Sequence, residues 1–135
     1  MKLHPALETE DALLAVCELT FLRRSGPGGQ HRNKTETAVI VGHKPTGLRG
    51  EANERRSQAE NRKLAIFRLR LILATEVREA VELAQPNSDR WQRRVHQQRL
   101  SISADHEDFP GLLAEAIDRI DPKNSKLHWR LPCCW

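Results

Sequence analysis

A chain of 135 residues with 39% hydrophobic and 30% charged residues has the length for one compact core, and its mixed composition excludes disorder throughout. Its three cysteines, two of them adjacent at Cys133 and Cys134, form neither a disulfide framework nor the paired spacing of a structural zinc site. The net charge of +4 hides an asymmetry: residues 1–22 hold one Lys and four acids, whereas residues 23–78 hold thirteen Lys plus Arg against five acids. That concentration is the electrostatic footprint of a nucleic-acid partner, although charge alone is equally compatible with a solvated helix face. The N-terminus has no apolar signal core and is acidic where a mitochondrial presequence is basic, and no apolar run is long enough to span a bilayer. The expectation is a cytoplasmic protein with no membrane partner.

In chain order, Thr9 caps a short helix with Glu10 and Asp11 in its first turn and Leu13, Leu14 and Val16 available for burial. Glu18 to Arg23 alternates polar with apolar residues, as a half-buried strand requires, and delivers the chain into a glycine-rich segment. Thr37 to His43 reads TAVIVGH, a β-branched run, and Pro45-Thr46-Gly47 turns the chain into a weaker strand over residues 48–53. Asn53 is a turn former on this reading. Ser57 to Glu60 has capping-box form and opens a helix predicted to run to Ala84, with Leu64, Phe67, Leu71, Ala74, Val77 and Val81 at three- and four-residue intervals. Leu64, Phe67 and Leu71 are expected on the sheet and Arg68, Arg70 and Arg78 partly outward as solvated charges. Residues 86–89 break that helix and cap another containing Trp91 and Val95. A last helix opens at Asp108-Phe109-Pro110, with Leu112, Leu113, Ala116, Ile117 and Ile120 as its apolar face.

The fold class expected is α+β: a small sheet of three to four strands packed by the long helix, with a helical extension at the C-terminus. Residues 1–85 form the main domain on this reading and residues 86–135 the extension, packed against it or facing a partner.

The segment RSGPGGQHRNKT, residues 24–35, concentrates backbone freedom and positive charge with almost no apolar side chain. Pro27 fixes its own φ and restrains Gly26, while the glycines admit positive φ, so the loop has a defined bend. Gln30 adds a neutral amide that donates and accepts, and Arg23, Arg24, Arg32 and Lys34 surround it with charge suited to phosphates. A bare GPGG is commonly a surface turn. The longer stretch, Arg24-Ser25-Gly26-Pro27-Gly28-Gly29-Gln30-His31 followed by Asn33-Lys34-Thr35 and Thr37-Ala38-Val39, closely resembles the GGQ signature of class I peptide chain release factors and their small ribosome-rescue relatives. Pro45-Thr46-Gly47, Glu54-Arg55-Arg56-Ser57-Gln58 and Asn61 are similar to the family's later landmarks, so the resemblance covers roughly residues 18–80. Arg32 departs from the pattern, where the family usually carries a small apolar residue.

The resemblance implies hydrolysis of the ester joining a nascent peptide to P-site tRNA in the ribosomal peptidyl transferase centre. Gly28, Gly29 and Gln30 are then the catalytic residues, and Arg23, Arg24, Ser25, His31, Arg32, Asn33, Lys34, Arg56, Arg62 and Lys63 are the RNA-binding set. The implied partners are large-subunit ribosomal RNA, P-site peptidyl-tRNA and a methyltransferase acting on Gln30, with the chain as a monomer. Gln30 has no pKa useful for general base catalysis, so its chemistry would be water positioning by the side chain and oxyanion stabilisation by the backbone N–H. No cofactor is expected. Ser25 and His31 lack a third orienting residue, and the six histidines have no tight ligand spacing, so neither a hydrolase triad nor a metal site is predicted. The chain shows no counterpart of a stop-codon reader, which favours codon-independent release on stalled ribosomes. The alternative is a ribosome or structured-RNA binding module that keeps a GGQ loop without turnover.

Overall fold

The computed structural model describes residues 4–23, 37–79 and 86–120. A 3-10 turn at Pro5–Leu7 leads into α1 (Glu10–Ala15), where Thr9 Oγ1 accepts from the Ala12 N–H as the cap expected from the sequence. Strands β1 (Cys17–Leu22), β2 (Ala38–His43) and β3 (Arg49–Ala52) form an antiparallel sheet in the order β1-β2-β3. In its register Cys17 faces His43, Leu22 faces Ala38, and Val39 faces Ala52. Gly47 carries φ 75° in the turn between β2 and β3, where His43 Nδ1 and the Thr46 hydroxyl are 2.8 Å apart. Thus β2 is the central strand, and its Val39 and Val41 are wholly buried.

One face of the sheet is covered by α2 (Gln58–Glu76), with Ser57 Oγ accepting from the Glu60 N–H. The buried stripe of α2 is Asn61, Ala65, Leu69 and Leu73, with Ile66 and Ala74 beside it. Leu64 packs on the margin of the core and Phe67 and Leu71 are half-buried, so the expected sheet-facing row is displaced. The reason is that α2 has two partners, the sheet and a C-terminal helix, and apolar residues therefore surround much of it. Close packing is possible at Gly50, where a Cβ would lie 2.2 Å from the Ala65 carbonyl oxygen and 2.6 Å from the Leu69 nitrogen.

The long helix also ends earlier than expected, at Glu76, and Val77 is extended. Arg78 donates to the Ala74 carbonyl at 3.1 Å, supplying an acceptor-rich helix end with a cation. His4 is buried, accepts from the Ala6 N–H through Nδ1 at 3.0 Å, and places Nε2 3.3 Å from the Val77 oxygen. Arg68 and Arg70 are likewise engaged, on the Glu51 and Glu8 carbonyls at 2.7 and 2.9 Å, and are not the solvated charges expected.

After residue 86, Ser88 caps α3 (Asp89–Arg94), and the chain then forms a two-residue hairpin, β4 (Val95–His96) and β5 (Arg99–Leu100). Val95, expected inside the helix, thus opens a strand instead. The last helix, α4 (Phe109–Ile120), packs on α2 and on the N-terminal 3-10 turn, and its Ala114 joins the same core as the sheet. Its buried side is Pro110, Gly111, Leu112, Ala114, Glu115 and Asp118, while Ile120 is 83% exposed. Leu112 is buried and Leu113 packs against the core as expected, and two carboxylates join the buried side because each has a partner. Glu115 accepts from the Ser88 N–H at 2.8 Å and the Ser88 hydroxyl at 2.6 Å, and Asp118 accepts from the Glu79 N–H at 3.4 Å. Trp129, Trp135 and the adjacent cysteines lie outside the described residues.

Candidate nucleic-acid interface at the foot of the glycine loop

The segment that carries Gly28, Gly29 and Gln30 joins β1 to β2, so its two ends leave and re-enter the sheet as neighbours at the Leu22–Ala38 pair. Arg24, Ser25, Gly28, Gly29, Gln30, His31, Arg32, Asn33 and Lys34 lie outside the described residues. Arg23, on the outgoing limb, is exposed.

The returning limb is tied down by one side chain. Asn61, fully buried in the first turns of α2, donates through Nδ2 to the Thr37 carbonyl at 2.7 Å and to the Arg55 carbonyl at 2.8 Å, and accepts from the Arg55 N–H through Oδ1 at 2.9 Å. It thereby joins three pieces of chain: the end of the glycine loop, the turn after β3 and the start of α2. The amide is uniquely suited to this, since it offers donors and an acceptor from one planar group.

This junction gathers the cations expected at the RNA surface. Arg56 follows the clamped Arg55, and Arg62 and Lys63 follow Asn61, all three exposed. Arg68, by contrast, serves the structure: it forms an ion pair with Glu54 and, with its bond to Glu51, secures the turn that presents Arg56. The Arg68 hydrogen bond holds the Glu54 carboxyl below its ordinary pKa, against the opposing effect of desolvation and with smaller help from neighbouring backbone donors. The basic residues at and beyond the start of α2 therefore divide into exposed cations by the loop foot, which belong to the expected RNA-binding set, and a paired set farther along the helix, which does not.

Asn61 belongs to the motif legible in the sequence, but its clamping role does not follow from that motif. A signal is present all the same: a polar residue heads the i, i+4 row completed by Ala65, Leu69 and Leu73. Among the described residues no cluster of three or more His, Cys, Asp or Glu side chains is placed to hold a metal. No described helix is long and apolar enough to cross a membrane.

An antiparallel sheet under a long helix, with a GGQ segment between its first two strands, defines a release-factor type of domain. The model of the RF-1 domain family matches residues 14–108, and the chain belongs to that family. It is 40% identical over 94 residues to peptide chain release factor 1 of Leptothrix cholodnii, covering 68% of this chain and 25% of that protein. Similarity to the mitochondrial peptide chain release factor 1-like protein of Rattus norvegicus reaches 52% over 48 residues, 36% of this chain and 13% of the relative. With the chloroplastic release factor PrfB1 of Arabidopsis thaliana it is 39% over 74 residues, 53% and 16% of the two chains. The chain spans a quarter or less of the length of each of these relatives.

Proposed function

We propose that this chain hydrolyses the peptidyl-tRNA ester on ribosomes, releasing the nascent peptide during translation termination or ribosome rescue, and does so without reading a codon. The supporting observation is the Asn61 junction in a chain of the RF-1 family: it anchors the GGQ segment to a helix start that carries exposed cations. Arg23, Arg56, Arg62 and Lys63 hold ribosomal RNA by its phosphates, together with Arg24, Arg32 and Lys34 of the loop. Water attacks the ester carbonyl, the tetrahedral oxyanion collapses, and the terminal adenosine of P-site tRNA leaves as its free hydroxyl. Gln30 places the water with its neutral amide and offers its backbone N–H to the developing negative charge, while Gly28 and Gly29 grant the backbone its approach. Methylation of Gln30 by a cytoplasmic methyltransferase fits the same site.

The test is single-turnover peptide release from ribosomes holding peptidyl-tRNA, with the A site carrying a sense codon, a stop codon or no mRNA. Comparable rates are expected on all three, and a strong stop-codon requirement would overturn codon independence. Gly29→Ala should lose about 10²–10³-fold in rate, the scale of one misplaced oxyanion donor, while still co-sedimenting with ribosomes. Gln30→Ala should lose less. Arg32, which departs from the family pattern, favours a second reading as a binding module without turnover. Absence of release by both unmodified and Gln-methylated protein, with ribosome binding intact, would select it.

A further inference from the structure

We propose that the β4–β5 hairpin and the adjoining end of α3 form a second RNA-binding surface, which grips the phosphate backbone of a folded RNA through Arg93 and Arg99. The inference rests on the ribosome-directed reading above but concerns a separate part of the chain. Residues 90–100 contain Arg90, Arg93, Arg94 and Arg99 and no acid. The structure sorts these four into two pairs. Arg94 reaches Asp108 at 3.1 Å and Arg90 approaches it at 3.9 Å, and both are partly buried. Arg93 and Arg99 are exposed and stand apart from these ion pairs.

The hairpin itself has little structural use. His96, Gln97, Gln98, Arg99 and Leu100 are all exposed, and no other described element packs broadly against the two strands. A two-residue hairpin without a packed face is marginal in water. Its turn is also costly: Gln97 and Gln98 carry φ 49° and 62°, the left-handed region that such turns normally fill with Asn-Gly. Long amides are thus held at the apex where smaller residues would fold more easily. His96 pairs with Arg99 across the strands, so these two side chains share one face. That face combines a cation with an imidazole beneath two amides, which suits phosphates and ribose hydroxyls. Of the acids nearby, Asp89 stands one turn before Arg93 on α3 and lines the same open concavity with it and Gln92, while Asp105 and Glu107 lie beyond the hairpin; all three are exposed.

Two sets of variants of the full chain test this by equilibrium binding to ribosomes that hold peptidyl-tRNA and an empty A site. Arg93→Gln with Arg99→Gln should weaken binding about tenfold or more and reduce the slope of log affinity against log salt by about 1.4–1.8, the share of two phosphate contacts. Gln97→Asn with Gln98→Gly installs the favoured turn, so melting temperature should hold or rise while affinity falls severalfold. Glutamines that touch no RNA predict the rise in stability with no loss of affinity, and that result counts against the proposal. Photocrosslinking from position 98 should capture RNA; capture of ribosomal protein alone overturns it. Unchanged affinity and slope in both sets, where Arg56→Ala with Lys63→Ala weakens binding, refutes the hairpin surface alone. If the wild type fails to bind ribosomes, the proposed function falls with it.

Discussion

Asn61 illustrates how much one buried amide can organise. Replacing it by Leu keeps the number and branching of side-chain heavy atoms but strands the Arg55 N–H and the Thr37 and Arg55 carbonyls, so a loss of about 2–4 kcal/mol is expected in denaturant unfolding. Asn61→Asp is more informative because the shape is retained and only the donors are lost. A carboxylate facing two carbonyl oxygens in a buried site favours its protonated form, so its folded pKa is raised. The Asn61→Asp variant should therefore be most stable at acid pH and lose stability as pH rises through that value, a dependence that Asn61→Leu lacks. Matching pH profiles of the two variants would show that the donors are not the feature that matters. Gly50 makes the complementary point about space. Gly50→Ala drives a methyl into helix backbone, at the Ala65 oxygen and the Leu69 nitrogen, and backbone cannot rotate away. A loss of about 3 kcal/mol is expected, measurable as a lower denaturation midpoint. Nothing in the sequence around Gly50 announces this contact, because the neighbour lies far along the chain and on another element.

Among the elements, those governed by local chemistry are legible in the sequence: the Thr9, Ser57 and Ser88 caps, the β-branched run of β2 and the turn at Gly47. Sequence and structure part where tertiary partners decide which side of an element is inside. The row Leu64, Phe67 and Leu71 has valid helical spacing, yet α2 buries Asn61, Ala65, Leu69 and Leu73, because the amide finds three backbone partners and the small Ala65 admits Gly50. In α4, Glu115 lies off the expected apolar row, and an isolated Glu is normally a solvent residue. Ser88 reverses that by giving the carboxylate both its N–H and its hydroxyl while the same hydroxyl caps α3. Ser88→Ala and Glu115→Ala should each cost about 1.5–3 kcal/mol, and the double variant should cost much less than their sum. Strict additivity in that double-mutant cycle would mean that the bond does not couple α3 to α4.

For the molecule as a whole, the site is legible as a motif and as a charge excess, whereas its mechanical support is not, since Asn61 acts across 24 residues to Thr37. The same holds at the opposite end of α2, where the chain closes upon itself. His4 reaches Val77 while Asp118 of α4 accepts from Glu79, so the N-terminal turn, the segment after α2 and the last helix converge. Burial there raises the Asp118 pKa above its ordinary 3.8, opposed by the fields of His4 and Arg78 and by the Glu79 N–H. The folded state thus favours the protonated carboxyl more than the unfolded chain does. Its contribution to stability is complete below pH 3.8 and declines as pH rises through the raised folded value. Asp118→Asn keeps an oxygen for the Glu79 N–H but removes the titration. The stability of the variant minus that of the wild type should therefore grow as pH rises from 3.8 through the raised folded value and level off above it. Thermal unfolding from about pH 3 to pH 8 measures it, and a difference that shrinks with rising pH would show that the ionised form of Asp118 is the one the fold prefers.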